Sequence, residues 1–81
     1  MWIKTSDMLP SEDGEYLVVQ NLFGYLVYDV CSYANDLHMV DEYDFPSPDY
    51  NHGGFYDFDS EWGYIEKEHV IAWQKIEPYT E

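Results

Sequence analysis

The chain has 81 residues, a mass of 9.7 kDa and a formal net charge of -14. This length allows one small domain, spanning residues 1–81, and excludes a second. Because 46% of the residues are hydrophobic and 20% are aromatic, the composition excludes the ordinary class of charged, disordered chains. The negative charge also disfavours direct binding to nucleic acid or to an anionic membrane, since both would repel an acidic surface.

The N-terminus and the single cysteine, Cys31, indicate the cellular compartment in which the protein is expected to function. Residues 1–10 contain neither the basic stretch nor the apolar run of a signal peptide. One cysteine cannot form an internal disulfide. The longest apolar runs are far shorter than the roughly 20 residues that a membrane-spanning helix needs. We therefore expect a protein of the reducing cytoplasm that makes no contact with a membrane.

Two strands are predicted in the first half of the chain. Residues 15–20 are β-branched and aromatic, and they follow the turn signal of residues 10–14. Residues 25–33 have the same character and come after a short connection, residues 21–24, that ends in Gly24. The pattern predicts a β-hairpin, with Cys31 as a partly buried structural thiol in its second strand.

Residues 34–54 differ in composition from the predicted strands on either side. They mix Asn, Asp, Pro, Gly and His with isolated aromatic residues, and the prolines at 46 and 48 are poorly suited to a sheet. We expect a long acidic loop or irregular arm. Loops of this length in small domains are usually functional or disordered.

The second half is predicted to complete a sheet. Residues 54–59 predict a half-buried strand: from Tyr56 onward aromatic and acidic residues alternate, which places Tyr56 and Phe58 on one face and Asp57 and Asp59 on the other. Residues 62–65 predict a turn and a short strand, residues 66–69 a helical turn, and residues 70–76 a closing strand. The expected fold is mainly β: a compact antiparallel sheet of about four to five strands with little helix, a small α+β domain being the alternative.

The aromatic and apolar residues of the first and last strands are expected to form the core. They are Trp2, Tyr16, residues 17–19 and Trp73. Packing between these strands is their ordinary explanation.

The two ends of the chain carry a resemblance. Trp2, Ser6, Leu9-Pro10 and Gly14-Glu15-Tyr16-Leu17-Val18-Val19 at one end, and Val70-Ile71-Ala72-Trp73, Ile76 and Pro78 at the other, resemble a small domain family of unknown function common in phages and prophages. The resemblance covers about the first twenty and the last twelve residues, and Gln74-Lys75 departs from the usual ending. It implies a phage origin and a cytoplasmic location in the host cell. It implies no catalytic residue.

The acidic surface is the feature that points to a function. From Thr5 to Glu66 the chain has fourteen carboxylates and neither lysine nor arginine. Solubility alone needs a net charge of only about 2 to 8. The charge is either a solvated face or a mimic of nucleic acid that binds the basic surface of a nucleic-acid-binding protein. The residues predicted to contact such a partner are Asp36, Asp41, Glu42, Tyr43, Asp44, Phe45, Asp49, Tyr50, Tyr56, Asp57, Asp59 and Glu61.

Mimicry is the favoured hypothesis, and it predicts a stoichiometric inhibitor of a host defence protein such as a CRISPR effector or a restriction enzyme. In this hypothesis the protein is not an enzyme, needs no cofactor or metal, and binds no nucleic acid itself. Whether it forms a homodimer is left open.

The alternative from another class is a calcium-binding or structural accessory domain. Asp57, Asp59, Glu61 and Glu68 fall at positions 1, 3, 5 and 12 of an EF-hand loop, although Trp62 stands where that loop needs glycine. A phage enzyme or a nucleotide-binding protein is less consistent with the sequence. His38, His52 and His69 are too widely spaced for a common zinc motif, and His52-Gly53-Gly54 lacks the pattern of a phosphate-binding loop.

Overall fold

The computed structural model describes residues 1–80, and these form one antiparallel β-sheet with very little helix. The sheet has six strands in the spatial order β1-β6-β2-β3-β4-β5. The strands are β1 Ile3–Lys4, β2 Gly14–Leu22, β3 Tyr25–Ala34, β4 Gly54–Asp59, β5 Gly63–Glu66 and β6 Val70–Lys75. A short 3-10 helix, Leu37–Met39, lies between β3 and β4. The prediction of a mainly β, antiparallel fold is confirmed.

The β2–β3 hairpin organises the sheet. Its register runs without a break from Gly14 opposite Tyr33 to Leu22 opposite Tyr25. Phe23 and Gly24 make the connection with φ angles of 54° and 91°. Two successive residues of positive φ are the signature of the type I′ turn, whose twist matches that of the strands. The predicted hairpin is confirmed, but its connection is shorter than residues 21–24, because the first two of these belong to β2.

The first core lies on one face of the sheet, where β6 returns to pair with β2. Val18 stands opposite Trp73, and the Tyr16 and Trp73 rings meet edge to face with centroids 5.3 Å apart. The N-terminal segment covers this core: the Trp73 indole N–H donates to the carbonyl of Met8 at 2.8 Å. Buried polar atoms thereby find partners while the aromatic bodies leave water.

A second, smaller core lies beside β4 and β5. Leu37 and Phe45 are buried here with Ala34, and Tyr56 and Tyr64 pack against them. Leu37 and Phe45 both come from the connection between β3 and β4. Residues 35–53 are therefore packed onto the sheet by buried apolar side chains.

Three details of the fold differ from the sequence expectation. The sheet has a sixth strand, β1, in which two residues pair with β6. A strand of two residues is too short to show a periodic pattern in the sequence. Glu66 belongs to β5, and the predicted helical turn at 66–69 is a simple turn into β6. Trp2 is largely exposed and packs on Tyr28, with ring centroids 6.1 Å apart, because only one side of the indole meets the sheet.

Within residues 1–80 no helix has the length and apolar character needed to cross a membrane.

Candidate interaction surface

Phe45 fixes the position of the acidic segment 35–53. Its side chain is 2% exposed, and its ring centroid lies 5.1 Å from that of Tyr50 and 6.3 Å from that of Tyr56. His38 Nδ1 lies 2.8 Å from the Phe45 carbonyl oxygen, which ties the 3-10 helix to the same point. Phe45 was predicted as a contact residue, but it is buried, so it positions the segment and is not itself available at the surface.

Two of the predicted contact carboxylates hold the backbone of this segment. Asp36 Oδ1 accepts the His38 N–H at 3.1 Å, at the start of the 3-10 helix. Asp41 Oδ1 accepts from the amides of Tyr43 and Asp44 at 2.8 and 3.1 Å. These carboxylates act as local caps, a common role for Asp at turns.

Asp44 joins the segment to the edge of the sheet. Its Oδ2 accepts the Tyr64 N–H at 2.9 Å. The approach requires glycine at position 63, where φ is +80° and a Cβ would lie 2.5 Å from Asp44 Oδ2. The carboxylate of Asp44 therefore lies beside the turn between β4 and β5, and it stabilises the loop as well as adding charge there.

The β4–β5 turn brings more carboxylates to the same end of the sheet. Asp59 Oδ1 accepts from the amides of Glu61 and Trp62 at 2.7 and 3.1 Å, which closes the turn. Asp57 Oδ1 accepts the Phe58 N–H at 2.8 Å. Because Asp59 pairs with Gly63, which Asp44 approaches, the carboxylates of Asp44 and Asp59 gather around one turn.

Exposed aromatic side chains lie within the same acidic segments. Tyr43 is 92% exposed, Trp62 is 75% exposed and Phe58 is 61% exposed. Exposed aromatic residues are frequent anchors of protein interfaces. Phe58 and Trp62 were not among the predicted contacts, because alternation placed Phe58 on the half-buried face and Trp62 in a turn. The predicted anchors Tyr50 and Tyr56 are only half-exposed and pack on the second core.

We call residues 57–62, which form the end of β4 and the β4–β5 turn, together with residues 41–44, the acidic aromatic surface. Among its predicted carboxylates Glu42, Asp57 and Glu61 are exposed, and Asp49 is exposed farther along the same loop. The structure thus divides the twelve predicted contacts into exposed residues that are available to a partner and residues that hold the loop in place.

Two of the three lysines lie in the other part of the sheet. β2, β3, β4 and β5 contain no lysine or arginine, whereas Lys4 lies in β1 and Lys75 in β6. Lys67, in the turn that leads into β6, is half-buried. Lys67 directly follows β5, and its amide donates to the Phe55 carbonyl oxygen in β4 at 2.8 Å, so the β3–β4–β5 side is predominantly, and not uniformly, acidic.

Glu66 is the carboxylic acid whose pKa is shifted most clearly by its environment. Burial raises its pKa above the ordinary value; His52 opposes this shift and Glu68 adds to it. Its carboxylate lies beside Gly54, at the edge of the second core.

Replacing Glu66 with glutamine is expected to stabilise the protein at neutral pH. Because the folded pKa is raised, the folded state holds more protons than the unfolded state between the two pKa values, so stability falls as pH rises through that window. Above the window the folded state carries a half-buried charge that glutamine lacks. Urea unfolding should show a gain for Glu66→Gln at pH 7 that vanishes below the unfolded pKa.

The exposed Glu77→Gln variant makes the same change in charge away from the core. An equal gain in both variants would show that net charge, rather than burial of Glu66, is responsible.

Cys31 lies at the junction of β3 and β4. Burial, followed by the nearby Asp57 carboxylate, raises its pKa to about 11, while Lys67 acts in the opposite direction. Its thiol donates to the Tyr56 carbonyl oxygen at 3.1 Å. A thiol with this pKa is protonated at neutral pH, and protonated thiols are poor nucleophiles.

The segment with EF-hand spacing folds as a hairpin. Asp57 and Asp59 lie in β4, Glu61 in the turn and Glu68 after β5, so the helices that flank an EF-hand loop are not present there. No group of three or more His, Cys, Asp or Glu side chains within residues 1–80 is arranged to hold a metal ion.

No protein-family model, curated protein or solved structure matches this chain. The resemblance to a phage domain family therefore stays a prediction that rests on the residues quoted for it.

Proposed function

We propose that this protein is a stoichiometric inhibitor that covers the basic nucleic-acid-binding surface of another protein. The observation that carries the proposal is the acidic aromatic surface, which combines exposed carboxylates with exposed Tyr43, Phe58 and Trp62 on a side of the sheet whose strands have no lysine or arginine. Charge gives such a surface its affinity for a basic groove, and the aromatic rings add contacts that salt does not screen.

The strand geometry supports imitation of a phosphate backbone. Asp57 and Asp59 are two residues apart in β4. Residues at this separation on a strand lie about 6.6 to 6.8 Å apart. Successive phosphates of one strand of duplex DNA advance about 3.4 Å along the helix axis. The two carboxylates therefore match the axial advance of alternate phosphates.

The fold also provides rigidity. Phe45 and the aspartate caps hold residues 41–44 beside the β4–β5 turn, so little conformational entropy is lost when a partner binds. A preorganised charge pattern binds more tightly than the same charges on a mobile chain. The resemblance of the chain ends supports a phage origin, and with it a target among the defence proteins of the host cytoplasm.

Affinity capture from bacterial lysate tests this proposal. The tagged protein should capture a nucleic-acid-binding protein at about 0.15 M salt and release it near 1 M, where the screening length falls from about 8 to 3 Å. Added DNA or RNA should also release it. A captured protein that nucleic acid does not displace would contradict mimicry.

A further inference from the structure

An open pocket of about 500 Å³ lies within the connection between β3 and β4. Its volume is in the range of about 300–1,000 Å³ that is usual for small-molecule sites. The pocket is lined by His38, Glu42, Tyr43, Pro46 and Ser47. Two of these residues, Glu42 and Tyr43, belong to the acidic aromatic surface, so the pocket is part of the face that is proposed to meet a partner.

Three short segments form the pocket, and each is fixed by a hydrogen bond. The 3-10 helix is held by His38 Nδ1, which lies 2.8 Å from the Phe45 carbonyl oxygen. The next turn is closed by the Phe45 N–H, which donates to the Asp41 carbonyl oxygen at 2.9 Å. The turn after it is closed by the Tyr50 N–H, which donates to the Pro46 carbonyl oxygen at 3.2 Å. The walls are therefore in place before a ligand binds, which lowers the entropy lost on binding.

Three polar groups of the walls are able to accept hydrogen bonds from a ligand. Because the Phe45 carbonyl oxygen can only accept, His38 Nδ1 carries the proton of the neutral ring and Nε2 is left as an acceptor. The Ser47 hydroxyl donates its proton to Asn51 Oδ1, so its remaining capacity is that of an acceptor. The Glu42 carboxylate has acceptors only. A ligand that complements these groups is a hydrogen-bond donor.

Glu42 also gives the pocket a negative charge that can meet a ligand. The nearby carboxylates of Asp36, Asp41 and Asp44 accept from backbone amides. Glu42 is exposed and is not one of these caps. In a chain of net charge -14, an anionic ligand would be repelled from this place. The complementary ligand is therefore a cation.

The remaining walls select among cations. Tyr43 is 92% exposed, so its ring is open to a cation, and Pro46 adds apolar surface. A guanidinium is planar and weakly hydrated and stacks on aromatic rings, whereas an ammonium group is compact and strongly hydrated. A calcium ion takes roughly six to eight oxygen ligands, but only one carboxylate, that of Glu42, lines the pocket. A guanidinium fits these walls best.

We propose that the pocket binds the guanidinium group of an arginine side chain. The Tyr43 ring stacks on the guanidinium plane, and the Glu42 carboxylate accepts from its N–H groups. This rests on the proposed function for the source of the arginine, which is a residue that the partner uses to hold phosphate. Arginine is the side chain best suited to phosphate recognition, so a pocket for it takes the place of a phosphate group.

Titration with the N-acetyl, N-methylamide derivative of arginine tests the pocket without a partner. At about 0.15 M salt the compound should bind with saturation and shift the amide resonances of His38, Tyr43 and Ser47 most. The corresponding lysine compound should bind several-fold more weakly. The citrulline compound, which has a neutral urea in place of the guanidinium, should not saturate. Equal affinity for the arginine and lysine compounds, or equal shifts beside exposed carboxylates such as Glu12 and Glu77, would overturn the proposal.

Two variants and a matched control locate the site. Glu42→Gln should weaken binding of the arginine compound about 5-fold, since it removes one exposed ion pair. Tyr43→Ala should weaken it about 2- to 5-fold, since it removes the cation–π contact. Asp49→Asn removes an exposed charge of the same loop that does not line the pocket, and it should leave the affinity unchanged. Equal losses for Glu42→Gln and Asp49→Asn would show that the arginine compound follows the general negative field, which contradicts a pocket.

Arginine binding and nucleic-acid mimicry fail under different results. A protein that displaces nucleic acid from its target while the arginine compound finds no site would refute the pocket and leave mimicry in place. A pocket that binds the compound, together with a captured target that still binds nucleic acid, would refute mimicry and support the assignment of the pocket to a guanidinium.

Discussion

Replacing Phe45 with alanine is expected to lower the free energy of unfolding by about 3–5 kcal/mol, the usual cost of removing a fully buried Phe side chain. Phe45 is the largest side chain of the second core and touches Tyr50, Tyr56 and Tyr64. A small domain has a total stability of about 5–15 kcal/mol, so this loss is a large fraction of it. Urea unfolding, followed by tryptophan fluorescence, measures the effect.

Tyr43→Ala is the matched control, because Tyr43 is an aromatic residue of the same segment but is exposed. Its expected effect on stability is within about 0.5 kcal/mol. If Phe45→Ala proved as mild as Tyr43→Ala, residues 35–53 would not be held on the sheet by this core.

Neutralising the four exposed carboxylates among the predicted contacts is expected to weaken partner binding on the order of 100-fold, since each exposed ion pair contributes up to about 1 kcal/mol. The variant combines Glu42→Gln, Asp49→Asn, Asp57→Asn and Glu61→Gln. Asparagine keeps the Oδ1 acceptor by which Asp57 holds the Phe58 amide. Asp44 is left unchanged because it holds the Tyr64 amide. Folding should be preserved or improved, because self-repulsion falls.

A second variant removes the same number of charges elsewhere on the exposed surface. It combines Asp7→Asn, Glu12→Gln, Glu15→Gln and Glu77→Gln. Titration of each variant against the captured target by calorimetry compares them. Equal losses of affinity would mean that net charge, and not the acidic aromatic surface, attracts the partner.

The sequence was sufficient to predict the hairpin and the closing strand. β-branched and aromatic runs on both sides of Gly24 predicted β2 and β3, and the last apolar run predicted β6. Short runs of β-branched and aromatic residues that are bounded by turn signals are a good local indicator of strands. β1 could not be predicted in the same way, because two residues have no period and their pairing with β6 is fixed by tertiary contact alone.

The roles of individual acidic and aromatic residues were harder to predict. Asp41 accepts from the amides two and three residues later, as an Asp at the start of a turn commonly does. Its capping role could therefore have been predicted from the sequence. Nothing local distinguishes buried Phe45 from exposed Tyr43, since both follow acidic residues in one segment. Which of them turns inward depends on the space left beside β4 and β5.

The extent of pairing between β3 and β4 could not be predicted from the sequence either. Residues 25–33 read as one continuous strand, and the point at which β4 stops pairing, after Ser32, has no sequence signal. Only the structure shows that residues 25–31 have no hydrogen-bonded strand on their outer side within residues 1–80.

Competition between this protein and nucleic acid for one purified target tests the central claim most directly. A labelled DNA or RNA bound to the captured protein should be displaced completely, with an end point at one chain per nucleic-acid site and no ternary complex. Displacement should weaken as salt rises. A stable ternary complex, in which target, nucleic acid and this protein are bound together, would contradict the claim that the acidic surface occupies the place of nucleic acid.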